Sequence, residues 1–307
     1  MRYASAAAFR QALETRLRTA SQSQGSSLFR LRKEVAFDRL LARLVVAAPG
    51  RWVLKGGLAL DYRFGTRART TKDMDLAGAA GEEAATADLL AAADLDLGDF
   101  FTFGIERTAK LDQILEGSAV RYHVRADLAG RRFDDFVVDV GFDMPQDWEP
   151  EMLRGPDLLG FAGIDPVAAP SLPLELQVAE KVHAYTRGYG SEGIGSTRVK
   201  DVVDLALIAT TTELDAAKLS RAVKETFERR SGRDLPRELL PPPRDWDVPF
   251  RRLAGEIGLV ADLAQGHELA ARLLDPILSG DVSVGRWDPA GQIWPIEQRT
   301  SKLEVNG

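Results

Sequence analysis

Apolar residues repeat at intervals of three and four from about residue 28 to residue 48, the spacing that places them on one face of a helix. They are Leu31, Val35, Phe37, Leu40, Leu41, Leu44 and Val45. Pro49 and Gly50 follow at once and predict the end of this helix. The sequence therefore predicts a helix here, and N-terminal helices are expected to precede the strands of the first domain.

That next run is short and rich in β-forming residues. It consists of Trp52, Val53 and Leu54 and predicts a strand. Gly56 and Gly57 predict a turn directly after it. Residues 58–64 predict a helix packed straight behind the glycines, so the local order is strand, glycine turn and helix.

Strict alternation of polar and apolar residues marks two further regions. In Asp73-Met74-Asp75-Leu76, a strand would place both carboxylates on one face and both apolar side chains on the other. Residues 120–128 also alternate, and with a turn at 129–132 and a return strand at 133–140 they predict a hairpin. The return strand carries Asp139 among apolar neighbours.

The remaining pattern indicates two domains. Residues 79–97 predict a helix, and the proline-containing linker 145–173 separates the part with strands from a mainly helical remainder. The domains are therefore expected to be residues 1–165 and 166–307. The last segment, residues 281–307, lacks periodicity and is interpreted as an irregular tail.

A lysine lies within the apolar stripe of the first helix in this remainder. The apolar members of the stripe are Leu174, Val178, Val182 and Tyr185. Lys181 falls among them, either as a snorkelling side chain at the stripe's edge or as a functional group. His183 would project from the opposite face, where we expect it to be solvated.

The next predicted helix begins near residues 196–197 and is apolar on two sides, which indicates that it is largely buried. Asp201 and Asp204 lie on this helix. Buried carboxylates need partners. They are expected either to pair with Arg198 and Lys200 or to point into a functional site.

Composition limits the chemistry that these residues can perform. The 307 residues include no cysteine and three histidines, which excludes disulfides and thiol catalysis and disfavours a zinc site. Any metal should therefore lie on carboxylates. The net charge of −6 argues against indiscriminate nucleic-acid binding, although it allows a local basic cleft. No apolar run approaches the roughly 18 residues of a membrane span, so a cytoplasmic protein is expected.

Asp73, Asp75 and Asp139 are candidate ligands of a divalent cation. Two aspartates on one face of a strand can share a cation, and a third from a neighbouring strand can complete a two-metal site. Asp139 lies in a run so apolar that a carboxylate without a partner would be costly there. The alternative interpretation is that all three residues only end or cap strands.

Gly56 and Gly57 are candidates for binding phosphate. Backbone amides at a turn and at a helix N-terminus bind anions such as a triphosphate. A tight turn that only glycine tolerates explains the same residues equally well. Both interpretations remain open on the glycines alone.

A glycine pair, a following Asp-x-Asp and a later lone aspartate on a strand together resemble the DNA polymerase beta nucleotidyltransferase superfamily. More narrowly, the sequence resembles the AbiEii/AbiGii toxin family of type IV toxin–antitoxin systems. The residues that carry this resemblance lie in segments 53–60, 69–76, 136–142, 179–184 and 198–205. The last two contain Lys181 and the sequence Arg198-Val199-Lys200-Asp201-Val202-Val203-Asp204-Leu205.

The resemblance implies an α+β fold, with a nucleotidyltransferase-type mixed β-sheet and flanking helices in the first domain and a mainly α-helical second domain that completes the nucleotide site. It implies Mg²⁺ bound by Asp73, Asp75 and Asp139. The implied nucleotide-binding residues are Lys55, Gly56, Gly57, Lys72, Lys181, Arg198, Asp201 and Asp204. The implied catalytic residues are Asp73, Asp75, Asp139, Lys181 and Asp201.

The implied reaction is transfer of a nucleotide from an NTP to an RNA, with the tRNA 3′ end as the expected acceptor and a block of translation and growth as the result. Arg121, Arg125, Arg131 and Arg132 are candidate phosphate contacts, although solvated hairpin charges explain them too. The expected protein partner is a winged-helix antitoxin encoded nearby. Two alternatives remain, namely transfer to a protein or small-molecule acceptor and a catalytically silent nucleotide-binding module.

Overall fold

Two compact units, Met1–Pro173 and Leu174–Gly307, make up the chain in the computed structural model. The structure describes residues 1–78, 81–110, 119–145, 147–187, 198–230 and 234–295. The first unit contains the strands and the second is helical, which confirms the α+β class. The division falls after Pro173 rather than after residue 165, because a strand at Ala168–Ser171 still belongs to the sheet of the first unit.

The first unit is a mixed sheet with helices. Its described elements are α1 (Ala6–Gln24), α2 (Leu28–Ala47), β1 (Trp52–Lys55), α3 (Gly56–Phe64), β2 (Asp73–Gly78), α4 (Gly81–Asp94), β3 (Phe101–Lys110), β4 (Ala119–Leu128), β5 (Arg131–Gly141), β6 (Glu151–Arg154) and β7 (Ala168–Ser171). The strand order is β3-β4-β5-β2-β1-β7-β6. Strand β2 runs parallel to β5 and antiparallel to β1, so it lies at the centre of the sheet.

One face of this sheet packs on the helices and forms the core. The apolar positions of the alternating strands are fully buried there, as at Met74, Leu76, Val138 and Val140. The predicted alternation of β2 is therefore confirmed, and its two aspartates lie on the face opposite the core. Burial of Met74 and Leu76 thus fixes where the carboxylates point.

Most elements of the first unit match the sequence patterns, but the linker does not. Strand β3 was not predicted, and the supposed linker 145–173 contains β6 and β7. These two strands have four residues each, and Pro170 lies within β7, so neither shows a period of its own. The hairpin turn is also shorter than predicted, because residues 131–132 already pair with β4.

The described elements of the second unit are α5 (Leu174–Arg187), α6 (Val199–Thr211), α7 (Ala216–Arg229), α8 (Asp247–Glu256) and α9 (Leu263–Ser279). Helix α6 is buried from Val199 to Ala209 except at Lys200, as its two apolar sides predict. The expected start of this helix at residues 196–197 lies outside the described residues. No helix in the described part of the chain is long and apolar enough to cross a membrane.

His183 is buried rather than solvated. Only 2% of its surface is exposed, and its ring packs edge-on against Phe227 of α7 with 5.0 Å between ring centroids. The prediction of a solvated histidine was wrong because α5 contacts both α6 and α7 and therefore has two buried faces.

The segment after α9 has little regular structure, as predicted, but it is packed. Trp287 is buried, and its Nε1–H donates to the carbonyl oxygen of Ala209 at 2.7 Å. Trp294 donates in the same way to Leu273 at 2.9 Å. Residues 281–295 therefore cover the helices of the second unit, while residues 296–307 lie outside the described residues.

Helix α2 carries many buried charges. They are Arg30, Lys33, Glu34, Asp38, Arg39 and Arg43. Their partners outside the helix include Asp61 of α3, Asp134 of β5, Asp99 before β3 and the backbone N–H of Val167 before β7. Arg43 is fully buried and donates to both oxygens of Asp99, at 2.9 and 2.6 Å. Ion pairs therefore attach α2 to several parts of the first unit.

Replacing Asp99 by alanine is expected to lower the free energy of unfolding by about 3–5 kcal/mol, because Arg43 would remain buried without its carboxylate. Urea unfolding measures the change. Arg132→Gln, which breaks the exposed pair with Asp135, is the control and should cost less than about 1 kcal/mol. Equal losses in the two variants would contradict the role assigned to the buried pair.

Candidate active site

The junction of β1 and α3 brings the backbone of Gly56 against Asp75. Helix α3 begins directly after the strand, and Gly56 takes a φ of 63°, which side-chain-bearing residues rarely adopt. A Cβ on Gly56 would lie 1.9 Å from Oδ2 of Asp75. Glycine is therefore required both for the turn and for the close approach of the carboxylate.

Gly57 makes a second close contact. A Cβ at this position would lie 2.8 Å from Oγ1 of Thr71, whose hydroxyl donates to the carbonyl oxygen of Asp73 at 3.0 Å. The two glycines thus pack against the strand that carries the aspartates and against the residues just before it. The sequence alone left open whether they only turn the chain, and these contacts show that they also position β2.

Four charged residues occupy one row across the sheet. Lys55 of β1 is the Cα partner of Asp75 on β2, and Asp75 is the partner of Asp139 on β5. Asp139 is in turn the partner of Arg121 on β4. Because directly paired residues point to the same side of a sheet, two adjacent carboxylates are flanked by two cations. Asp73 lies on the same face, two residues before Asp75.

A β-bulge sets the end of this row. Near the hairpin turn Asp127 pairs with Arg132, whereas the next pair is Ala126 with Asp134, so Phe133 is an extra residue in β5. Without this shift of one residue, Arg121 would face Val138, which points into the core. The bulge therefore places the guanidinium of Arg121 beside Asp139.

Arg121 holds the carboxylate of Asp139 through both oxygens. Its Nε donates to Oδ1 at 2.8 Å and its Nη2 to Oδ2 at 2.7 Å. The hydrogen bond with Asp139 raises the pKa of Arg121, to which the negative charges of Asp139, Asp73 and Asp75 add, against the opposing effect of desolvation. The burial cost that suggested a metal at Asp139 is thus met in this structure by an arginine, which the sequence analysis did not connect with this aspartate.

The candidate ligands have the type of donor atom that a divalent cation prefers. Asp73, Asp75 and Asp139 offer carboxylate oxygens, which Mg²⁺ prefers, and Gly56 leaves room for the carboxylate of Asp75. Among the residues that the structure describes, however, no three His, Cys, Asp or Glu side chains are placed together to hold a metal ion. Asp139, the third candidate ligand, is paired with Arg121.

The two predicted lysines of the first unit differ in position. Nζ of Lys55 lies 3.4 Å from where a Cβ on Gly141 would be, so its chain extends over β5 on the same face as Asp139. Lys72 is exposed and immediately precedes β2. The side chain of Lys55 therefore lies over the charged row, whereas Lys72 lies in solvent at the start of β2.

The predicted residues of the second unit form a cluster of their own. Nζ of the buried Lys181 lies 2.5 Å from Oδ2 of Asp204 and 3.4 Å from Oδ1 of Asp201. Arg198 approaches Asp201 at 3.5 Å. The pairing of Asp201 with Arg198 was expected. Asp204 pairs with Lys181, which was not expected and which connects α5 to α6.

The arginines of the hairpin also have acidic neighbours. Arg125 donates to Asp127 at 2.8 Å, and Nε of Arg132 lies 3.1 Å from the carboxylate of Asp135. Arg131 is exposed, and its carbonyl oxygen accepts a hydrogen bond from Arg10. A phosphate would therefore compete with carboxylates for Arg125 and Arg132.

Comparison with known proteins identifies the family of the chain. The family model described as nucleotidyl transferase AbiEii toxin, type IV TA system, matches residues 39–273. MenT4, a nucleotidyltransferase toxin from Mycobacterium tuberculosis H37Rv, is 20% identical, with coverage of 86% of this chain and 98% of its own and a TM-score of 0.53. JHP933 from Helicobacter pylori is 15% identical, with coverage of 81% and 93% and a TM-score of 0.44. No curated protein sequence matches.

Gly56→Ala is expected to destabilise the protein more than Gly50→Ala. Both glycines have a positive φ, 63° and 72°, so both variants strain the backbone. A Cβ on Gly50 would meet nothing within 4 Å, whereas on Gly56 it would overlap Asp75, at an added cost of about 1–3 kcal/mol. Urea unfolding of the two variants isolates this contact. Equal costs would show that Asp75 does not pack closely on Gly56.

Proposed function

Because this chain belongs to the AbiEii nucleotidyltransferase toxin family of type IV toxin–antitoxin systems, we propose that it transfers a nucleotide from an NTP to the 3′ end of tRNA and thereby blocks translation and growth. The observation that supports the reaction most directly is the row in which Asp75 and Asp139 are adjacent, beside the glycine junction. The family implies an NTP substrate and an antitoxin partner. We expect a winged-helix antitoxin and a cytoplasmic reaction, since tRNA is used there.

The N-terminus of α3 is proposed to bind the triphosphate. Its first residues are Gly56 and Gly57, and the backbone N–H groups at a helix start attract anions. The residue before them is Lys55. Its ammonium group can only donate hydrogen bonds, so it cannot accept one from these amides and cap the helix. Lys55 and Lys72 would add positive charge toward the phosphates.

The metal in this proposal is Mg²⁺, held by Asp73, Asp75 and Asp139. When bound, it would lower the pKa of the acceptor hydroxyl and neutralise charge on the phosphates. A carboxylate oxygen of Asp139 would accept the proton of that hydroxyl, which attacks the α-phosphorus while pyrophosphate leaves. The charged row supports this assignment because it concentrates half-buried carboxylates on the face of the sheet opposite the core.

The cluster of the second unit is proposed to bind nucleotide through Lys181 and Arg198, with Asp201 and Asp204 orienting the two cations. Support comes from the family match, which includes all four residues, and from their mutual contacts. Lys181 would stabilise negative charge that develops on the phosphates.

Asp75→Asn is expected to reduce nucleotide transfer by about 100-fold or more, because a ligand of the catalytic cation is lost. The measurement is incorporation of α-labelled NTPs into total RNA in the presence of Mg²⁺. Asp135→Asn is the matched control, since Asp135 lies on β5 and pairs with the exposed Arg132. It should retain activity.

The acceptor is identified in the same assay. Label on tRNA that disappears in Asp75→Asn supports the proposal, and label on protein instead would show another acceptor. Nucleotide binding without any transfer and without a need for Mg²⁺ would indicate the catalytically silent module and contradict the proposed reaction.

Lys181→Ala is expected to abolish growth arrest when the protein is expressed, because a phosphate contact is lost. Lys224→Ala, which changes an exposed lysine of α7, should remain toxic. Removal of Lys181 also leaves the buried Asp204 without this cation, so the thermal unfolding of each variant must be compared.

The double variant Lys181→Met/Asp204→Leu covers the case in which Lys181→Ala does not fold, since it replaces the buried pair by apolar side chains. A folded, non-toxic double variant supports the assignment. A folded protein that lacks Lys181 and is as toxic as the original would show that the assignment is wrong.

A further inference from the structure

We infer that Arg121 is the resident counter-ion of the carboxylate row and that a divalent cation binds Asp139 only by displacing its guanidinium group. Arg121 is thus a positioning residue that sets how tightly the protein holds metal. The inference rests on the proposed function in taking Asp73, Asp75 and Asp139 as the metal ligands. Its test below measures metal binding separately from nucleotide transfer.

The geometry of the pair leads to competition. Arg121 engages both oxygens of Asp139, at 2.8 and 2.7 Å. The guanidinium takes up one lone pair on each oxygen, so Mg²⁺ cannot chelate both oxygens from that side while Arg121 holds them. A cation on the remaining lone pairs would lie close to the positive charge of Arg121, which opposes its binding.

The pair is also accessible enough to exchange. The side chain of Arg121 is 39% exposed and that of Asp139 is 19% exposed, so the guanidinium can rotate into water. Arg43 and Asp99 show the opposite case, with 0% and 2% exposure and further bonds from Arg43 to backbone carbonyls. Arg43 is fixed by its surroundings, whereas the surroundings of Arg121 permit release.

Arg121 also reduces the repulsion between the two carboxylates of the row. Asp75 and Asp139 are paired across neighbouring strands, and like charges in that position repel. Without a cation, Arg121 reduces this repulsion and keeps the metal-free protein stable. The same interaction lowers the affinity for a divalent cation, because the cation must replace the stabilisation that Arg121 provides.

The test is a calorimetric titration of the full-length, metal-free protein with MnCl₂. Arg121→Gln is expected to bind Mn²⁺ about 10-fold more tightly than the original protein, the factor that corresponds to one charge-assisted hydrogen-bonded pair. In the absence of metal its unfolding temperature should be lower, and Mg²⁺ should raise it more than in the original. Arg125→Gln, four residues along the same strand and paired with Asp127, is the control and should leave Mn²⁺ affinity unchanged.

Arg121→Lys resolves the case in which the glutamine variant does not fold. A lysine is a point charge that cannot hold both oxygens in a fixed fork, so its Mn²⁺ affinity should be higher than that of the original. Unchanged or weaker Mn²⁺ binding in the folded Arg121 variants would overturn the inference. If Asp75→Asn binds Mn²⁺ as the original does, the assumed metal ligands are wrong and the inference fails with them. Loss of transfer activity in Asp75→Asn remains a separate test of the proposed function.

Discussion

The parallel pairing of β2 with β5 is the constraint on which the candidate site depends. It places Asp75 directly beside Asp139, an arrangement that repulsion between like charges opposes. The sheet sustains it because the apolar residues on the other face of both strands are fully buried, and because Lys55 and Arg121 lie at the two ends of the row. Hydrophobic burial and the two flanking cations thus sustain a strand register that repulsion between the two carboxylates opposes.

The contact between Asp75 and Gly56 joins the two halves of this arrangement. The start of α3, which is suited to anions, and the strand that carries the carboxylates meet without a spacer, since the space of a missing Cβ is filled by the carboxylate. A change in the glycine junction therefore moves an acidic side chain as well as the backbone amides. In the proposed site, the groups that bind the anion and those that bind the cation are therefore displaced together.

Much of the central sheet could be predicted because its signals are local. The alternation in β2 and in the hairpin specifies which side chains share a face, and the α+β class follows from the order of elements and the family resemblance. The pairing of Arg121 with Asp139 was not predicted, because it depends on a bulge at Phe133. The bulge appears in the sequence as a step of three residues between the buried Phe133 and Phe136, but that step does not tell which residue of β4 faces Asp139. His183 was misassigned for a related reason, since the sequence does not show how many neighbours a helix has. The roles proposed for Lys181 and the acidic residues rest on resemblance, to which the structure adds their immediate partners.

The buried charges of α2 fix the rotation and the position of that helix within the first unit. A slip of one residue would rotate the helix by about 100° and move it by about 1.5 Å, which would break its ties to α3, β5 and the residues before β3 and β7 at the same time. An apolar helix of the same length could occupy several neighbouring positions with little difference in energy. For α2, only one position satisfies all of its ion pairs. Substitutions among the apolar residues beneath the sheet can therefore be accommodated by repacking of the core. The position of the sheet face that carries the carboxylates is then unchanged.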